Sequence, residues 1–380
     1  MAPTTVRGAV FGGAGRPISL ETLQLDDPVE GELRVRMVAS GVCHSDLHVV
    51  DGDWARPPNV VLGHEGAGIV EALGPGITER PAGAPLGDGG LRVGDLVVLA
   101  WTAPCGHCAA CRANEAWLCS EPRGNGHRLA AGDVRLRRPD GTPIGAYSGI
   151  GTFCTAQVVA AEAAVPIDPR TPPEIAALIG CAVTTGVGAV TNTAAVRAGQ
   201  SVLVVGAGGV GLAALMAAAA AGASPLIAVD REPAKRELAV RAGASHAVSP
   251  EEARQLVGDL TGQGVDHALE AIGLVESVAL AMDVTRPGGT TTLVGMTPQA
   301  DRVPLDVYQF VERGGHLVGS NYGSAVPSRD FPRIATAYLE GRLPLELLVT
   351  SRIGLDDLDD ALAAMRRRDG ARRVVMFGAA

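Results

Sequence analysis

Apolar and polar positions change rhythm near residue 183, and the change divides the chain. Before it, apolar residues come in short alternating stretches. Leu33-Arg-Val-Arg-Met-Val38, Val93-Gly-Asp-Leu-Val-Val-Leu99 and Phe153 to Val159 read as strands, separated by Gly, Pro and Asp. Thr78 to Leu91 and Glu121 to Gly149 have the composition of exposed loops. From Ser201 the pattern is different: continuous apolar runs alternate with alanine-rich helical stretches. Ser201 to Val205 leads into a helix reaching about Ala221, and Pro225 to Val229 precedes a helix from about Pro233 to Ala242. Val265 to Glu270 and Thr291 to Gly295 continue the series. Strands buried on both faces and joined by crossover helices make a doubly wound parallel sheet. The alternation ends after about residue 320, and Arg373 to Phe377 is the last clear strand. The fold class is therefore α/β, with a nucleotide-type domain set inside a split β-rich domain.

Length agrees with this division, since 380 residues exceed what one core usually serves. The 47% of apolar residues against 19% charged supplies material for two cores. A net charge of −9 argues against a nucleic acid or an anionic membrane as partner. The longest apolar run, Val210 to Ala221, has 12 residues, short of the ~20 needed to span a bilayer. Met1-Ala-Pro-Thr-Thr does not open a signal peptide, and thiols clustered at metal spacing suit a reducing compartment. A cytoplasmic location is expected.

Chemistry concentrates at three places. Cys105, Cys108, Cys111 and Cys119 are separated by gaps of two, two and seven residues, so that four thiolates can converge on one tetrahedral ion. Zinc suits four sulfurs, and a site closed by four protein ligands is structural. Two disulfides are the plainer alternative. Gly206-Ala-Gly208-Gly209-Val210-Gly211 follows the strand at 201–205 and opens a helix. The first glycine allows the tight turn, the second lets backbone approach a pyrophosphate, and the third permits close packing of helix on strand. Asp230 lies 24 residues after Gly206, where an acid binds ribose hydroxyls and repels a 2′-phosphate, favouring NAD over NADP. Arg231 beside it leaves room for the opposite preference. Of the other cysteines, Cys154 has no motif and reads as a small core residue. Cys43, His64 and Cys181 offer two thiolates and one imidazole, the ligand count of an open, catalytic zinc. Spacing alone leaves open whether Cys181, 117 residues from His64, joins the other two.

Taken together, Gly-Val-Cys-His-Ser-Asp-Leu-His at 41–48, Gly-His-Glu-Gly at 63–66, the four-cysteine run, Gly-Cys-Ala-Val-Thr-Thr-Gly at 180–186 and the glycine loop resemble the zinc-dependent medium-chain alcohol dehydrogenases across the whole chain. The resemblance implies a GroES-like catalytic domain at 1–182 and 319–380, with a structural zinc lobe at about 100–122, split around a Rossmann NAD-binding domain at 183–318. It implies two zinc ions per subunit: Cys43, His64 and Cys181 around the catalytic one, and Cys105, Cys108, Cys111 and Cys119 around the structural one. Asp46 matches the acid that orients the imidazole ligand, Glu65 an acid near the metal, and Ser45 and His48 a proton relay. His44, Thr185, Gly206, Gly208, Gly209, Val210, Gly211, Asp230, Arg231, Lys235, Val294 and Arg372 match cofactor contacts. Trp54 and Trp101 match walls of the substrate pocket.

The implied reaction moves hydride between a primary alcohol, small or aromatic, and NAD. The alcohol proton leaves through Ser45, the ribose hydroxyl and His48. Arg123 matches an arginine that relatives acting on thiol–formaldehyde adducts use for a carboxylate, although Trp54 stands where those relatives carry an acid; an adduct dehydrogenase is thus an alternative. A non-catalytic NAD-binding regulator is a second. The long 121–149 segment resembles the dimeric branch, which favours a homodimer over a homotetramer.

Overall fold

The computed structural model describes residues 3–81, 84, 86, 90–122 and 133–378. Two compact units emerge: Met1–Cys181 with Val326–Leu339 and Val349–Ala380, and Ala182–Ala325 with Glu340–Leu348.

In the first unit the strand Glu32–Gly41 is the organising element. Its neighbours Glu65–Leu73, Ala156–Ala160 and Arg372–Met376 all pair with it antiparallel. Ala164–Pro166, Leu96–Leu99 and Val349–Ile353 complete a seven-stranded sheet. Leu33, Val35, Met37, Val97 and Leu99 are buried together on one side of it. A small closed barrel is built from Thr4–Phe11, Ser19–Leu25, Leu136–Arg137, Pro143–Ala146 and Val60–Val61. Register places the chemistry. Gly41 pairs with Glu65 and also with Val374, so the chain leaving one strand at Cys43 and entering the next from His64 does so at one end of the sheet. The helix Pro173–Leu178 packs on these strands so closely that a Cβ on Gly41 would lie 2.9 Å from Leu178 Cδ2. Cys181 follows in the π-helical turn Ile179–Val183.

The second unit carries six parallel strands. In chain order they are Val202–Val205, Leu226–Val229, His246–Val248, Val265–Glu270, Thr285–Leu293 and His316–Gly319, and in the sheet they run third, second, first, fourth, fifth, sixth. Every residue of the first two strands is buried, as the continuous apolar runs require. The order reverses beside the first strand, which is where such sheets bind dinucleotides.

Three expectations from the sequence are corrected. The 121–149 segment is not simply a loop: Leu136–Arg137 and Pro143–Ala146 are barrel strands, too short to stand out in the sequence, while residues 123–132 lie outside the described residues. Within 78–91, Arg80 and Leu91 are buried rather than exposed, because the Arg80 guanidinium pairs with Asp95 and donates to the Ala84 carbonyl; residues 82–83, 85 and 87–89 are not described. The longest apolar stretch is also longer than a count of unbroken apolar residues gives. Pro173–Thr193 is helical over 21 residues with a mean hydropathy of 1.6, enough by length and composition to cross a membrane. It is mostly buried within the protein, which makes it a core helix.

Candidate active site

Cys43, His64, Glu65 and Cys181 are all buried, and their ligand atoms lie within 4.8 Å of one another. Asp46 organises this cluster from the helix His44–Asp51, which Cys43 caps. It is fully buried, and its Oδ2 accepts the Cys43 N–H at 3.2 Å. Asp46 Oδ1 accepts the Gly63 N–H at 3.1 Å and lies 3.1 Å from His64 Nδ1. A carboxylate only accepts, so Nδ1 carries the hydrogen and Nε2 is the free donor atom of the ring. That Nε2 is buried and has no hydrogen-bond partner among the described residues. Burial opposes a charge on His64, yet the Asp46 and Cys43 charges hold its pKa well above the ordinary value. A hydrogen bond from Cys181 pulls Cys43 well below the usual thiol range, and the same contact, with burial, pushes Cys181 well above it. Two buried thiols and a buried imidazole nitrogen with their donor atoms this close are a set that fits a zinc ion.

Two more ionisable groups, Glu65 of the cluster itself and Arg372, sit beside the thiols and the imidazole. Burial pushes Glu65 up to about 8 against the pull of Arg372, whose Nη2 lies 3.6 Å from Glu65 Oε1. Arg372 is itself buried and donates to the Val42 carbonyl at 3.2 Å. The structure thus places this residue, which the resemblance assigns to the cofactor, beside Glu65 and the Cys43–His64–Cys181 cluster.

The four-cysteine run forms a second cluster, with all four sulfurs within 4.8 Å of one another. Cys105 and Cys111 sulfurs are 4.0 Å apart, and those of Cys108 and Cys119 are 3.9 Å apart. Sulfurs bound tetrahedrally at ~2.3 Å stand ~3.8 Å from each other, whereas a disulfide needs ~2 Å. All seven cysteines are free, which sets the disulfide alternative aside. Backbone N–H groups of Cys105, Cys108 and Cys111 point at the sulfurs of Cys119, Cys105 and Cys108. The Cys111 N–H in particular brings Cys108 down to about 5, ready to bind metal as thiolate. Cys154 is different: fully buried among apolar residues, it is pushed up to about 12 and is inert.

On the helix His44–Asp51, His44 and His48 lie one turn apart with ring centroids separated by 6.3 Å. Ser45 Oγ lies 3.8 Å from Cys43 Sγ. Trp54 is half-buried against the cluster that includes Phe11, Val50 and Phe153, and stacks on His48; Trp101 packs against the sheet core with Leu99 and Ala103.

In the second unit the glycine loop has the required geometry. Gly206 has φ 99°, a Cβ on Gly211 would overlap the Gly206 carbonyl, and the space around Gly208 is open within 4 Å. Gly209, Val210 and Gly211 begin the helix Gly209–Ala220, whose N-terminal N–H groups suit phosphate. Asp230 Oδ2 accepts the Ala207 N–H at 2.8 Å, tying the loop to the second strand, and its Oδ1 accepts the Glu232 N–H at 3.0 Å. Arg231 is exposed; Lys235, Thr185 and Val294 are half-buried. Arg236 donates to the carbonyls of Asp230 and Arg231.

Residues 29–169 match the alcohol dehydrogenase GroES-like domain, and residues 209–340 match the zinc-binding dehydrogenase domain. The chain is 36% identical to an NDMA-dependent alcohol dehydrogenase of Amycolatopsis methanolica, over 98% of this chain and 99% of that protein. It belongs to the zinc-dependent medium-chain alcohol dehydrogenase family. An S-(hydroxymethyl)glutathione dehydrogenase of Synechocystis sp. is 34% identical over 98% of this chain and 99% of that one. Among solved structures, a benzyl alcohol dehydrogenase from Acinetobacter calcoaceticus superposes with a TM-score of 0.90 at 30% identity, covering 99% of this chain and 100% of its own. Membership makes this protein an enzyme, a zinc alcohol dehydrogenase that works with a nicotinamide cofactor, on a GroES-like and a Rossmann domain.

Three residues of this family member escaped the sequence reading. Tyr147 is buried with its ring edge-on to His64 at 5.6 Å; its only sequence signal was being one of four tyrosines. Glu270 is fully buried at the end of the fourth strand, where Oε1 accepts from Ile272 N, Gly273 N and Ser277 Oγ and shapes the turn packed against Gly206. Asp53 reaches His48 from beyond the helix end. Arg123 lies outside the described residues.

Proposed function

We propose that this enzyme oxidises primary alcohols, small or aromatic, to aldehydes with NAD and holds two zinc ions per chain. Cys43, His64 and Cys181 would hold the catalytic ion, and Cys105, Cys108, Cys111 and Cys119 the structural one. The observation that carries the reading is the buried, unpartnered His64 Nε2 beside two thiols. When bound, zinc supplies a Lewis acid that acidifies an alcohol hydroxyl, and NAD supplies the hydride acceptor.

The chain's own residues do the rest. Asp46 keeps His64 Nδ1 occupied and so presents Nε2. Ser45 receives the hydroxyl proton at Oγ while giving up its own, and His48, one turn along the helix, takes a proton to solvent. Glu65 stands by as a further donor. Trp54 and Trp101 wall the substrate, and the aromatic option is supported by the likeness to a benzyl alcohol dehydrogenase. Residues 183–318 bind NAD in this reading, with 1–182 and 319–380 forming the catalytic domain. His44, Thr185, Lys235, Val294 and Arg372 join the glycine loop as cofactor contacts. Asp230 supports NAD over NADP, because a carboxylate held in place by two backbone N–H groups repels a 2′-phosphate.

A homodimer is part of the proposal. Met296, Leu305, Val307, Tyr308, Val311 and Leu317 are 38–72% exposed, and the strand His316–Gly319 lies at the sheet edge. Apolar surface beside an edge strand favours a second copy as its cover.

The adduct dehydrogenase is the second reading, supported by the 34% identical relative of that name. A panel of primary alcohols, with and without formaldehyde plus glutathione, tests both. Reduction of NAD by free alcohols supports the first reading; reduction only when thiol and formaldehyde are both present replaces it with the second.

A further inference from the structure

The side chain of His48 is held from two directions. The helix His44–Asp51 ends at Gly52, whose left-handed φ of 89° turns the chain back, and the Trp54 N–H returns to the His48 carbonyl at 3.1 Å. This turn sets two side chains on one imidazole. Asp53 Oδ2 lies 2.8 Å from Nδ1, and the Trp54 ring stacks at 4.8 Å with an interplanar angle of 27°. Since a carboxylate only accepts, Nδ1 carries the hydrogen and Nε2 keeps its lone pair.

We propose that Asp53 and Trp54 clamp His48 in the tautomer and orientation that let Nε2 take up the proton released when an alcohol is oxidised. The proposal rests on the relay reading above. With NAD as the hydride acceptor, oxidation of the alcohol would also set free its hydroxyl proton, which has to be removed. The Nε2 lone pair accepts it by way of Ser45, and the ring becomes an imidazolium whose Nδ1–H stays with Asp53. Water then takes the proton from Nε2, since the side chain is 27% exposed, and the starting tautomer is restored. The Asp53 carboxylate balances the transient charge, and the indole face favours a cation stacked on it. Asp53 acts through His48 and is a positioning residue. Nothing in the spacing of the His-Ser-Asp-Leu-His motif contains it; the helix end does.

Asp53→Asn tests the clamp, because the side chain is 47% exposed and outside the helix, so the fold does not depend on it. An amide can donate to Nδ1 as well as accept from it, so the Nδ1–H tautomer is no longer enforced and the Nε2–H form becomes populated. In the zinc- and NAD-loaded enzyme, kcat should fall about tenfold with KM for the alcohol unchanged, below the full effect of a positioned acid–base group because water still reaches the ring. The ¹⁵N spectrum of histidine-labelled protein should show the tautomer change, with the His48 signal identified by its loss in His48→Ala. In the His48→Ala background, Asp53→Asn should have no further effect. A wild-type kcat for Asp53→Asn beside a slow His48→Ala enzyme overturns the clamp alone. A wild-type kcat for His48→Ala overturns the relay, and the clamp with it.

Discussion

Replacing Asp46 by Asn removes one charge and almost no volume, yet it should loosen one zinc ion and leave the other untouched. The carboxylate is fully buried and serves three donors: the N–H groups of Cys43 and Gly63, and His64 Nδ1. An amide oxygen can keep the Gly63 and His64 contacts, but the NH₂ group then faces the Cys43 N–H. One buried donor loses its partner, at a cost of about 1–3 kcal/mol. His64 also loses the charge that holds its pKa up against burial, and with it basicity as a ligand. Loss of such an outer partner typically weakens metal binding by about 10–100-fold, which is ~1.4–2.8 kcal/mol. The four-cysteine cluster has none of these groups and should keep its affinity. Titration with a chromogenic chelator, with zinc counted per chain, reads both sites in one experiment. The variant should release one zinc at about 10–100-fold lower chelator strength than the wild type, and the second at the wild-type value. Release of both ions as in the wild type would refute the reasoning, because Asp46 would then have no hold on a metal ligand.

Other outcomes follow from the same structure. Gly211→Ala puts a Cβ into the Gly206 carbonyl, so NAD affinity measured by calorimetry should drop by at least about tenfold while zinc content stays unchanged. Cys108→Ser opens the structural cluster; one zinc should be lost and Tm should fall by roughly 5–15 °C in a thermal scan. Val311→Glu places a charge in the exposed apolar patch, and light scattering should then find monomers in place of dimers.

Legibility in the sequence followed the range of each interaction. The parallel sheet was readable because its strands are buried on both faces, so Val202–Val205 and Leu226–Val229 are apolar at every position. The glycine loop was readable because all its constraints lie within six residues. The four-cysteine cluster is similarly local. Cys43, His64 and Cys181 are not, since only the pairing of Gly41 with Glu65 and the packing of Pro173–Leu178 bring them together, and neither is written in their spacing. The strands at 136–137 and 143–146 were hidden by their brevity, at two and four residues. Arg80 was hidden in a segment of loop composition because charged residues are rarely buried; paired with Asp95, it is.

The central claim is that Cys43, His64 and Cys181 hold the ion on which turnover depends. Zinc content and NAD reduction by a primary alcohol, measured side by side in the wild type and in Cys43→Ser, test it most directly. The account predicts two zinc ions and turnover in the wild type, and one zinc ion, an intact fold and no turnover in Cys43→Ser. A Cys43→Ser protein that keeps both zinc ions and full turnover would contradict it.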